Sequence, residues 1–175
     1  RAPALLEKIG LPLTGQVNAQ IRITTGETPS KDAEGTIEMT AEGLSIGPGE
    51  IKIPMMGPLT IPLIDMGKLS AVLPISKGKG KTKECRLKGK DFGGELTLDV
   101  SIVRELMNSR LSGGGSFLVD SKFLERNGKF KTILDFPGPL QKAKDGDNRF
   151  HFLIKGTGQN PKFSLSKTGG KDKSS

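Results

Sequence analysis

Apolar residues recur at every second position in three segments of the chain, and a glycine opens each one. Gly15 precedes Val17, Ala19, Ile21 and Ile23. Gly35 precedes Ile37, Met39 and Ala41, and Gly94 precedes Leu96, Leu98, Val100 and Ile102. The positions between them are polar: Gln16, Asn18, Gln20 and Arg22, then Glu38 and Thr40, then Glu95, Thr97, Asp99 and Ser101. Side chains alternate across a strand, so each segment is a ribbon with one apolar and one wet face. Ribbons of this kind belong to antiparallel sheets, because a parallel strand is usually covered on both faces and reads apolar throughout. The pattern predicts a mainly β protein, a single curved antiparallel sheet forming an open or partly closed barrel or groove, with a few short helices.

The remaining elements follow from local signals. Pro3 suits the first turn of a helix over 3–9, with Leu5, Leu6 and Ile9 on its apolar side and Gly10 at its end. A loop carries Gly26, Pro29 and Ser30, and the second strand runs from about Thr36 to Ile46. Between Gly47 and Gly67 apolar residues alternate with Pro and Gly. Proline has no amide donor, so this stretch reads as edge strand or ordered loop. Its Met55 and Met56 either close one end of the core or form an adaptable exposed surface. Leu69, Ala71 and Leu73 make a strand closed by Pro74, and Cys85 and Leu87 sit in another. Glu105 to Arg110 reads as a helical turn, and Leu111 to Asp120 as a strand containing Gly113, Gly114 and Gly115. Ser121 is placed to cap a short helix that Gly128 ends. A second helix holds Phe130, Ile133 and Leu134 and stops at Pro137. These helices are expected to plug one end of the apolar concavity. Strands bearing Phe150, Phe152 and Ile154, then Phe163 and Leu165, complete one domain over 1–166, and 167–175 is a polar tail expected to be disordered.

The chain's 175 residues fit one domain, which would bury roughly 70% of its unfolded surface. It has no Trp and no Tyr, and its eight Phe begin at Phe92, so the first half must fill its interior with aliphatic side chains. That leaves a thin core or an apolar face partly open. The longest apolar run, Ile53 to Ile64, is interrupted by three prolines and is too short to span a bilayer as a helix. A start at Arg1 reads as a processed or truncated piece, with any signal or anchor before it out of view.

The chemistry of catalysis is sparse. A serine or cysteine hydrolase needs a nucleophile beside an imidazole, and the lone His151 alternates out of phase with Phe150 and Phe152. A zinc site draws on several Cys and His residues, and the chain has one of each. The lone Cys85 has no internal disulfide partner and gives no sign of redox compartment. Asp145 and Asp147 around Gly146 are turn composition, and the Gly-Lys alternation at 77–81 lacks the spacing of a phosphate loop. No catalytic, metal or cofactor residue is assigned, and the chain reads as a non-enzyme.

Charge is concentrated instead. Lys77, Lys79, Lys81, Lys83, Arg86, Lys88 and Lys90 stand against Glu84, giving +6 of the formal +8. This stripe is a candidate contact for an acidic partner or an anionic membrane surface. The reading that stands ahead of it is a solvated edge hairpin guarded by lysines against aggregation. Nucleic acid is disfavoured, because stacking aromatics should interleave with the charge and only Phe92 is near. Val17, Ile21, Ile37, Met39, Leu96, Leu98 and Val100 are the candidate lining of an apolar groove.

Three stretches carry a resemblance: Leu6-Glu-Lys-Ile-Gly-Leu-Pro-Leu-Thr-Gly15, Lys88-Gly-Lys-Asp91 before the third glycine-led strand, and Gly156-Thr-Gly-Gln-Asn-Pro-Lys-Phe163. Together with the amphipathic strands they resemble the periplasmic part of type II secretion system protein N (GspN), with endings also similar to AsmA-like proteins. The resemblance implies an inner-membrane anchor outside this chain and a periplasmic domain. It also implies a non-catalytic accessory role among other secretion-system components. AsmA-like character implies, alternatively, a curved sheet that binds or transfers phospholipid or another apolar ligand. A scaffold would hold the apolar faces shut, and a lipid carrier would leave them accessible.

Overall fold

The computed structural model describes residues 11–53 and 57–166. The helix expected over 3–9, Met55 and Met56, and the tail over 167–175 lie outside these. Eleven strands are described: β1 (Leu13–Thr24), β2 (Glu34–Ile46), β3 (Gly49–Ile53), β4 (Gly57–Ile61), β5 (Ile64–Ser76), β6 (Lys79–Lys81), β7 (Glu84–Lys88), β8 (Phe92–Ser101), β9 (Arg110–Val119), β10 (Phe150–Thr157) and β11 (Pro161–Leu165). The helices are short: α1 (Pro29–Asp32), α2 (Ser121–Arg126), α3 (Gly128–Leu134), α4 (Pro139–Lys142) and a 3-10 turn over Leu106–Asn108. Among the described residues no helix is long and apolar enough to cross a membrane.

Nine strands form one antiparallel sheet in the order β1-β2-β5-β6-β8-β9-β10-β11, with β7 also between β5 and β8. β6 and β7 share one lane. Ile75 faces Gly80, but Val72 faces Glu84, so a single extra residue is inserted between the two halves. The same slip appears against β8, where Lys79 faces Ser101 and Arg86 faces Glu95. The lane is therefore one strand broken by a bulge near Thr82 and Lys83.

This bulge corrects one expectation. Pro74 does not close its strand; β5 runs on to Ser76. Proline is tolerated inside a sheet at a bulge, and Pro74 faces Thr36 on one side and the break in β6/β7 on the other. A second correction concerns the basic stripe, which is no edge hairpin. It occupies the middle of the sheet, between β5 and β8. A strand with one apolar and one charged face can lie inside a sheet whenever its charged face meets water. The Pro-rich stretch becomes β3 and β4, a separate two-stranded hairpin rather than an edge of the main sheet.

The apolar phases coincide across the strands. Val17 faces Ala41, Ala41 faces Leu69, Leu69 faces Leu87, Leu87 faces Gly94, Gly94 faces Phe117 and Phe117 faces Phe150. Directly opposed residues share a face, so the sheet has one continuous apolar side. Two clusters close its ends. At one, Leu59 and Ile61 of β4, Phe123 of α2 and Leu134 of α3 cover Ile64, Val119 and Phe150. At the other, Ala33 and Ile102 cover Leu73, Ile75 and Val100.

The helical cover is pinned by Asp91, which is 8% exposed. Its carboxylate accepts from the Asp65 amide at 3.0 Å, its carbonyl accepts from the Asp120 amide, and Arg126 approaches within 3.5 Å. Asp120, not Ser121, caps α2, accepting from the Phe123 amide at 3.0 Å. Asn127 ends that helix and Gly128 opens the next, so the glycine begins α3 where the sequence pattern has it ending α2.

Ile102, 2% exposed, is expected to be a keystone of the second cluster. Ile102→Ala should cost about 2–5 kcal/mol in urea unfolding followed by circular dichroism. Ile21→Ala, at a residue 56% exposed, should cost less than about 1 kcal/mol.

Candidate functional site: an open apolar groove

Between the two closed ends no described residue covers the apolar face. A cavity of about 210 Å³ opens there, its apolar walls formed by the side chains of Leu69, Cys85, Leu87, Phe92, Leu96, Phe117 and Phe152, with Gly94, Glu95 and Ser116 completing the lining. All seven side chains are half-buried. Phe92 and Phe117 stack at 5.2 Å between centroids, and Phe117 lies 6.3 Å from Phe152, so one end of the trough has an aromatic wall. The apolar face then continues outward to both sheet edges. Val17 is 60% and Ile21 56% exposed on β1, and Phe163 is 47% exposed on β11.

Small residues hold the strands beside the trough close together. Gly113 and Gly115 of β9 face Leu98 and Leu96 of β8. A Cβ at Gly113 would run into the Thr97 carbonyl, and one at Gly115 into the Glu95 carbonyl and the Phe152 ring. Only glycine lets β8 and β9 approach this closely.

The groove candidates from the sequence divide. Leu96 lines the cavity. Val17 and Ile21 lie on the exposed outer strand, and Met39 sits half-buried beside Ala71. Ile37 and Leu98 pack against the second closed cluster, and Val100, 6% exposed, belongs to it. Val100 is therefore core rather than groove, because Ala33 and Ile102 roof that end of the sheet. Leu69, Leu87, Phe92, Phe117 and Phe152 line the cavity without having been singled out. They alternate in the same phase, and only the register brings them to one place. Cys85 also faces the trough, and burial pushes its thiol up from the ordinary value. It stays protonated at neutral pH and acts as a small apolar wall.

The basic stripe lies on the other face. Arg86 faces Ser70 and Glu95, Lys88 faces Lys68, Lys79 faces Ser101 and Lys81 faces Asp99. Lys77, Lys83 and Lys90 are exposed in the flanking turns and at the bulge. Lys68 is held 2.8 Å from Glu42, which lowers that carboxyl group, and Lys81 stands 3.9 Å from Asp99. Exposed pairs of this kind contribute little. The basic surface and the groove thus back onto each other through one sheet, so the lysines cannot clamp the headgroup of a ligand lying in the trough.

A polar cluster on that same outer face resembles a hydrolytic triad without being one. Ser116 and His151 are directly opposed, and the imidazole donates from Nε2 to Asp145 Oδ2 at 2.7 Å. The Ser116 hydroxyl, however, donates to Glu95 and accepts from Arg149 Nε at 3.0 Å. A nucleophile needs its base within hydrogen-bond reach, and here the hydroxyl is committed elsewhere. The cluster holds a turn instead: Asp145 also accepts from the Asp147 and Arg149 amides at 2.9 Å. Among the described residues no group of three His, Cys, Asp or Glu side chains could hold a metal ion.

No family model, curated protein or solved structure matches this chain.

The hydrogen bond from His151, and after it the backbone amides, lower the Asp145 carboxyl below its ordinary value. A lowered folded-state value stabilises above the unfolded value, about pH 4, and is lost as pH falls through the folded one. The melting temperature of the native chain should therefore exceed that of Asp145→Asn near pH 6. The gap should close as the pH is lowered toward about 2, read by circular dichroism.

Proposed function

We propose that the domain is a non-enzymatic binder of an apolar chain, taking the acyl part of a lipid into the open middle of its apolar face. The observation that carries this reading is that, among the described residues, the face is roofed only at its two ends. A scaffold without a ligand would gain by closing such a surface, since each Å² of apolar area kept in water costs about 25 cal/mol. Contiguous apolar surface left open on a folded domain marks a binding site. Glu95 is the one charged residue in the lining, and its carboxylate is turned to the outer face, 3.4 Å from Arg149, which leaves the trough walls apolar, suits a hydrocarbon and disfavours a polar metabolite. Each methylene transferred from water contributes about 0.8 kcal/mol. The motifs similar to GspN and AsmA-like proteins extend the proposal to a periplasmic setting, with the lipid-binding domain serving a secretion machine and its other components.

Cys85 offers the test, because its thiol lies in the trough wall. A dansyl-labelled fatty acid should bind at one per chain and slow maleimide alkylation of Cys85 at least tenfold. Leu96→Gln should weaken that binding about tenfold while leaving the melting temperature within a few degrees, since Leu96 is half-buried in the wall. Absence of binding together with unchanged alkylation would overturn the proposal.

A further inference from the structure

The outer edge of β1 has no partner among the described residues, and the strand is unlike its counterpart at the other side of the sheet. It is 12 residues long, and from Thr14 through Arg22 every side chain is exposed on both faces. β11 at the opposite edge is five residues long, begins with Pro161, which has no amide donor, and carries the exposed Lys162. Short length, proline and lysine are the features that keep an edge from pairing. β1 has none of them between Gln16 and Arg22; its one interruption is Gly15, where φ is +134° and the register against β2 shifts.

We propose that β1 pairs antiparallel with β1 of a second copy of this chain, across a two-fold axis through Ala19 and normal to the sheet. The sequence of the strand is self-complementary in that register. Val17 meets the partner's Ile21, Asn18 meets the partner's Gln20, Gln16 meets the partner's Arg22, and Ala19 meets its own equivalent. Apolar residues face apolar ones, amides face amides, and the one charge of this stretch faces an uncharged amide. Unlike a foreign strand, a second copy meets this condition without any further requirement, and a two-fold contact uses the same patch twice. The Gly15 irregularity marks where the pairing stops. An axis normal to the sheet keeps both apolar faces on one side, so the dimer carries one uninterrupted apolar surface, with the exposed Val17 and Ile21 covered at its seam. The interface stands independently of what the groove holds.

Analytical ultracentrifugation of the native chain is expected to give a dimer at about 100 μM, a hundredfold above a micromolar Kd. Val17→Lys with Ile21→Lys opposes like charges across the axis and should give a monomer. Val17→Lys with Ile21→Glu opposes unlike charges in the same register and should restore the dimer. Both positions are more than half exposed, so unchanged circular dichroism will verify folding of each variant. A native chain that sediments as a monomer at that concentration overturns the proposal. So does a dimer that survives the double lysine variant, which would assign the contact to another surface such as two apolar faces stacked together. A charge-swapped variant that stays monomeric overturns the register.

Discussion

The in-phase alternation of apolar residues across adjacent strands is the constraint on which this molecule depends. A slip of one residue in any pairing would move that strand's apolar set to the wet face. The slip at Thr82 and Lys83 is placed in a lane divided into two short strands, and both halves keep Gly80, Cys85 and Leu87 on the apolar side. The bulge thus corrects phase instead of breaking it. Pro74 sits beside the break, where a missing amide donor does least harm.

How much of this was legible from the residues depends on what each signal encodes. Period-two alternation encodes faces, so the antiparallel class and the membership of Val17, Ile37 and Leu96 in one apolar side could be read directly. It does not encode neighbours. The lysines of Lys79 to Lys88 guard an edge or face water from the middle of a sheet with the same pattern, and only pairing with both β5 and β8 distinguishes the two. Helix caps were legible to within a residue: Asp120 takes the role offered to Ser121, its carboxylate accepting from the Phe123 amide while its own amide donates to the distant Asp91 carbonyl, a contact the local sequence does not encode. The division of the groove candidates was out of reach. Val100 and Leu96 have the same phase on the same strand, and which of them is enclosed depends on Ala33, from the turn before β2, packing with Ile102 just past the end of β8.

The two faces of the sheet also separate functions that the sequence runs together. The segment from Lys77 to Lys90 contains a basic surface and, in Cys85 and Leu87, part of the groove wall. Alternation sends the two sets to opposite sides, so a partner bound through the lysines and a ligand bound in the trough would not compete for space. Net charge clustered on one face raises the local concentration of acidic partners, while the trough on the other face presents apolar side chains.

The open middle follows from topology more than from composition. In a meander every connection leaves from a strand end, and here the long ones leave from the same end. The β3-β4 hairpin joins β2 to β5, and the helices α2 to α4 join β9 to β10. They roof the aromatic end around Phe150, and the shorter turns bearing Ala33 and Ile102 roof the other. Strands β2 and β5 are 13 residues long, about 44 Å at the usual rise. A layer of side chains and short helices spans only about 10 Å, so roofs built at the ends cannot meet. Glycine at 113 and 115, where a Cβ would collide with the β8 backbone, holds β8 and β9 close together beside the uncovered stretch. Long strands and terminal roofs together make the apolar trough seen among the described residues.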